Sequence, residues 1–148
     1  MPKSVHYASI LWIIAVAAGV GETAIHVAEG LFSGSLTGGA ALWQVTVRAI
    51  IYGTVTVAIV AMRRGANWAR WTLALVLGTV GMLSLLIEPI TWLVAGNSVS
   101  GLLADADSGL YAITALRVIH VAAVPAALIA MFAPTANRYF RPAAVAMR

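Results

Sequence analysis

Seven side chains that can carry charge stand inside or at the edge of long apolar runs: Glu22, His26, Glu29, Arg48, Glu88, Arg117 and His120. A charge held in hydrocarbon costs about 2.5–3.5 kcal/mol on insertion scales, so such groups are usually paired and usually functional. Histidine exchanges protons near neutral pH, and a glutamate beside it can act as general acid or base. Arginine offers a planar fork that grips a carboxylate or a phosphate. On these grounds Glu22, Glu88, His26 and His120 are the candidate acid–base residues. Arg48 and Arg117 join them as candidate ligand-binding residues, with Gln44, Tyr52 and Thr91 as polar neighbours.

Helical spacing groups these residues. Glu22, His26 and Glu29 fall at i, i+4 and i+7 on one face, which Ala15 and Gly19 continue. Small residues let helices approach, so that face is expected to point inward. Gln44, Arg48 and Tyr52 share a second face. Gly81, Ser84, Glu88 and Thr91 form a third, and Thr114, Arg117 and His120 a fourth. At the helical rise of about 1.5 Å per residue, Glu22, Arg48, Glu88, Arg117 and His120 all lie roughly 10–16 Å below one membrane surface. His26 is shallower, and Glu29 lies near the surface. Pro89 follows Glu88, and Pro125 follows His120 by five residues, so kinks are expected close to this layer.

The deep set balances, with two glutamates against two arginines. Two Arg–Glu pairs locking a bundle would satisfy that balance. Buried pairs are weak stabilisers, however, because desolvation competes with attraction. A pocket open to the extracytoplasmic side explains the shared depth better. Glu22 and His26 with Glu88 and His120 form a mixed nitrogen and oxygen donor set, but two arginines at that depth would repel a divalent cation, so no metal is expected. Two histidines on separate helices raise the possibility of bis-histidine haem, which their difference in depth of about 8 Å disfavours. The residues name no cofactor.

The elements that must position these groups are membrane helices. The 148 residues are 61% hydrophobic and 9% charged, and mean hydropathy is +0.94. Soluble domains are near a quarter charged, which excludes an ordinary soluble domain and a disordered chain. The net charge of +4 is scattered among apolar runs, so no nucleic-acid surface is expected. With no cysteine there are no disulfides or thiolate chemistry.

Four stretches match the length of about 20 residues that a bilayer core demands, over roughly 8–32, 40–62, 70–95 and 109–132. They lack the alternating polarity of barrel strands. The expected fold is therefore all-α: a single integral-membrane four-helix bundle over residues 1–148. Lys3, Arg63, Arg64, Arg70, Arg138, Arg141 and Arg148 fall on one side, and only Asp105 and Asp107 on the other. By the positive-inside rule both termini are expected in the cytoplasm of a multi-pass inner-membrane protein. Arg63 to Trp71, with Trp68 and Trp71, reads as a lipid-headgroup anchor, and Pro134 as the stop of the last span. Lys3 and the run Ile10–Ala18 resemble a secretory signal, but apolar character resumes beyond Glu22, so the segment is expected to persist as a span.

The function expected from these residues is binding of a small molecule or ion in an outward-facing ionisable pocket, serving transport, sensing or an accessory role. Membrane lipids are partners, and self-association or a membrane partner is expected. The alternatives are a membrane-embedded acid–base enzyme acting on a lipophilic substrate, a haem or quinone redox subunit, and a purely structural partner.

Overall fold

In the computed structural model, which describes residues 1–104 and 107–140, the apolar runs form four antiparallel helical rods. Helix α1 covers Lys3–Phe32 and α2 covers Gly38–Arg63. The third rod is α3 (Asn67–Leu75), a π-helical stretch (Val76–Gly81) and α4 (Met82–Val94) in sequence. A short α5 (Val99–Ala104) lies in the following connection, and α6 (Ser108–Met131) is the fourth rod. Helix α7 (Pro134–Tyr139) closes the described chain. All four rods are long and apolar enough to cross a membrane, which makes this an all-α, multi-pass membrane bundle.

Local chemistry sets the boundaries. Thr37 Oγ1 accepts from Ala40 N–H to cap α2, and Asp107 Oδ1 accepts from Leu110 N–H at 2.8 Å to cap α6. Helix α2 ends in a Schellman turn: Ala66 N–H donates to Ala61 O and Gly65 N–H to Met62 O. Gly65 has φ +90°, where a Cβ would be strained. Three boundaries differ from the sequence reading. Helix α1 begins at Lys3, because no breaker separates Lys3 from the apolar run. The connection after Gly96 contains a helical turn, α5. Pro134 does end the fourth rod, but it also starts α7, since proline suits the first helical turn. Both Pro89 and Pro125 lie inside continuing helices. Asp105, Arg141 and Arg148 lie outside the described residues.

The core is concentrated at one end. Val5, Ala8, Trp12 and Ala15 of α1 pack with Val55, Ala58, Ile59 and Met62 of α2, Ala69 and Leu73 of α3, and Ala123, Val124, Ala127 and Met131 of α6. This end also carries Lys3, Arg63, Arg64, Arg70 and Arg138. It is stitched by Tyr139 Oη donating to Arg63 O at 3.0 Å and by Thr135 Oγ1 to Ser4 Oγ at 2.8 Å. Toward the other end α1 stays in close contact with α6 through Gly19, Gly21 and Glu22. A Cβ on Gly21 would lie 2.9 Å from Leu116 Cδ1, so the absent side chain is what lets α6 approach. Helix α2 meets the third rod along α3, whereas the π stretch and α4 pack on α6. From Ala74 onward the third rod buries no residue. The bundle is closed at its basic end and parted at the other.

Arg70 departs from the headgroup-anchor expectation. Only 7% exposed, its guanidinium carbon sits 4.3 Å from the Phe132 ring centroid, 5.1 Å from that of Phe140 and 5.8 Å from that of Trp71. Cation–π attraction holds it inside the bundle end. The rings of Trp68 and Trp71 remain exposed on the bundle surface, as interfacial anchors require.

Candidate functional site

The parted end encloses a cavity of about 770 Å³ to which all four rods contribute. Its polar lining is Glu22, Thr23 and His26 from α1, Arg48 and Tyr52 from α2, Ser84 and Glu88 from α4, and Arg117 and His120 from α6. Apolar wall comes from both flanks, including Val47 and Ile51 of α2 and Leu77 and Leu85 of the third rod. The π stretch borders this space through Leu77 and Gly81. Its wide turn is seen in Met82 N–H donating to Leu77 O, five residues back. Such turns widen a helix locally and recur beside functional cavities.

Glu22 is the centre of the charged set. Its side chain is 10% exposed, and its two oxygens serve different partners. Arg117 Nε donates to Oε2 at 3.2 Å, and His120 Nδ1 lies 3.2 Å from Oε1. Arg117 also reaches α4, donating through Nη1 to Glu88 Oε2 at 3.3 Å. One guanidinium thus joins carboxylates from two other helices.

Arg48 is treated differently. Its Nη1 donates to Thr23 Oγ1 at 3.2 Å, and among the described residues no carboxylate lies within 4 Å. Thr23 donates its own proton to Gly19 O at 2.7 Å, so its oxygen can accept from both Arg48 and Tyr52 Oη, the latter at 3.2 Å. Gly19 makes room for this arrangement. A Cβ there would lie 2.9 Å from Tyr52 Oη and 3.1 Å from His120 Cε1. Gly19→Ala is therefore expected to destabilise the bundle by about 1–2 kcal/mol through overpacking. In Gly53→Ala nothing lies within 4 Å of the added methyl, and helix propensity makes the change neutral or favourable. Unfolding midpoints of the two variants in the same micelles check this contrast.

Of the residues singled out from sequence, Glu22, His26, Arg48, Tyr52, Glu88, Arg117 and His120 border the one cavity. Gln44 and Thr91 are not part of its lining; Thr91 Oγ1 turns back to Glu88 O at 2.9 Å. His26 is exposed and also borders a second, shallower recess at the open end, with Glu29 and Asp107. Two equal Arg–Glu pairs do not form: Arg117 takes both glutamates. The residue that sequence reasoning passed over is Thr23. Its place on the Gly19–Glu22–His26 face was the available signal.

Comparison with known protein families, curated proteins and solved structures finds no match for this chain.

Proposed function

We propose that this is an inner-membrane protein with both termini in the cytoplasm, and that its open end is a ligand-binding cavity facing the extracytoplasmic side. The clustering of Lys3, Arg63, Arg64, Arg70 and Arg138 at the closed end supports that orientation. The observation that carries the binding reading is Arg48, a cation on the cavity wall held by a hydroxyl and not by a carboxylate. A structural ion pair would consume its charge. Here the charge faces cavity space, where a carboxylate or phosphate can meet it in a medium less polar than water. Arg117, held by two glutamates, is fixed in place and has no charge to spare. A cavity of about 770 Å³ is within the size range of small-molecule sites.

The chain has no cysteine, so a single introduced thiol reports cleanly. Ile51→Cys places it one helical turn from Arg48. In spheroplasts it is expected to react with membrane-impermeant methanethiosulfonates, the sulfonate faster than the trimethylammonium reagent, and Arg48→Gln removes that preference. Ala127→Cys, buried at the closed end, is the silent control. If Ile51→Cys is as unreactive as Ala127→Cys, the outward-facing cavity is wrong.

A second reading rests on Glu22 and His120. A carboxylate holding an imidazole by Nδ1 is the arrangement of an acid–base couple, and a membrane-embedded enzyme acting on a lipophilic substrate would use it. Its mark is substrate turnover lost in His120→Gln with the fold retained.

A further inference from the structure

We infer that the ligand of this cavity is an anionic amphiphile that enters sideways from the outer leaflet, between α2 and α4, and leaves its headgroup at Arg48. The inference rests on the cavity reading above and adds the class of ligand and its route.

The route follows from packing. Helix α2 is joined to the third rod along α3, at the closed end. Beyond Leu73 the third rod turns to α6 through the π stretch and α4, and none of its residues is buried. The cavity is bordered by Val47, Arg48 and Ile51 on one flank and by Leu77, Ser84 and Leu85 on the other. The two rods therefore stand apart with the cavity between them, and the gap faces the surrounding lipid. Water-borne solutes have the open end, but a molecule already in the leaflet has this side entrance.

The ligand class follows from the distribution of polarity. Most of the charged groups bind one another: Glu22 and His120 meet, and Arg117 holds both Glu22 and, across to α4, Glu88. The flanks of the side opening carry Val47 and Ile51 beside Arg48 and Tyr52 on α2, and Leu77 and Leu85 beside Ser84 and Glu88 on the third rod. Arg117 already engages Glu88, and a hydroxyl alone holds Arg48. A wholly polar solute would leave Val47, Ile51, Leu77 and Leu85 against its polar groups. A wholly apolar one would leave Arg48 without an anion. An acyl or isoprenoid chain ending in a phosphate or carboxylate satisfies both. The chain lies along the flanks, and one headgroup oxygen accepts from the Arg48 guanidinium, whose other side is already held by Thr23. A cationic headgroup meets the same guanidinium and is rejected, since the carboxylates of the cavity, Glu22 and Glu88, are already engaged by Arg117.

The test uses the full chain in nanodiscs of zwitterionic phosphatidylcholine doped with dodecyl phosphate, with retained amphiphile counted by native mass spectrometry. The expected result is retention of dodecyl phosphate and not of dodecyltrimethylammonium at equal mole fraction. Arg48→Gln should weaken retention about tenfold or more, the loss expected for one charge-assisted hydrogen bond, and Arg48→Lys should keep most of it. Arg48 is exposed to the cavity, so neither variant should lower the unfolding midpoint appreciably. Inorganic phosphate in the buffer should fail to displace the amphiphile. If it displaces dodecyl phosphate freely, the site takes a water-borne oxyanion and side entry is wrong, while the cavity reading stands. Equal retention of both headgroups, indifferent to Arg48→Gln, overturns the charge selection. No retention together with a reactive Ile51→Cys overturns the amphiphile alone, and an unreactive Ile51→Cys removes the reading beneath it.

Discussion

Trp12→Ala is expected to cost about 3 kcal/mol of bundle stability, the largest loss from any single apolar truncation in this protein. The indole is fully buried where α1, α2, α3 and α6 converge. Lipid removes most of the hydrophobic transfer term between folded and separated helices, so the cost is lost packing around the void. Trp12→Phe should cost much less, about 1 kcal/mol. Phenylalanine keeps most of the volume, and the Trp12 Nε1–H it deletes has no hydrogen-bond partner among the described residues. Reversible unfolding in mixed micelles measures both. Equal losses for the two variants would mean that the indole N–H, and not packing, holds this end together. Neither change touches the cavity, so the thiol chemistry at Ile51→Cys should survive in Trp12→Phe.

Arg117→Gln is expected to be the most damaging change at the charged site. It strips Glu22 of its nearest cation and frees Glu88 altogether. Breaking a buried pair on one side costs about 3–5 kcal/mol, and the one-third of the Arg117 side chain open to the cavity lowers this to about 2–3 kcal/mol. Glu88→Gln should cost far less, within about 1 kcal/mol, because Glu88 is 78% exposed and water already screens it. The ranking matters more than either value. If Glu88→Gln proves the worse of the two, the charged set is centred on α4 and not on Glu22.

Much of this architecture is legible in the sequence, for physical reasons. Apolar runs of bilayer length have few other structures open to them, so the four rods follow from Ile10, Val55, Leu85, Ala123 and their neighbours. Helical spacing put Ala15, Gly19 and Glu22 on one inward face, and all three are buried there. Shared depth brought Glu22, Arg48, Glu88, Arg117 and His120 to one level, and they border one cavity. The pairing within the set was not legible. Counting two glutamates and two arginines predicts two equal pairs, but which pair forms depends on side-chain reach, and Arg117 reaches both acids. Thr23 escaped notice because it stands one residue off the Glu22, His26 and Glu29 spacing, although it is the group that holds Arg48. Arg70 looked like a headgroup anchor because the rings that enclose it are distant in sequence. Phe132 follows α6 and Phe140 follows α7, so only the folded chain brings them to Arg70. The π stretch at Val76–Gly81 has no proline or charged residue to announce it.

The central claim is that ionisable groups from separate helices meet and bind one another inside the open half of the bundle. A double-mutant cycle on Glu22 and Arg117 measures that meeting, using Glu22→Gln, Arg117→Gln and the combined variant unfolded under identical conditions. Direct contact predicts a coupling of about 1–3 kcal/mol, with the double variant more stable than Arg117→Gln alone, since the buried Glu22 carboxylate is then no longer left without its cation. Additive losses, with coupling below about 0.5 kcal/mol, would place the two side chains apart and contradict the account.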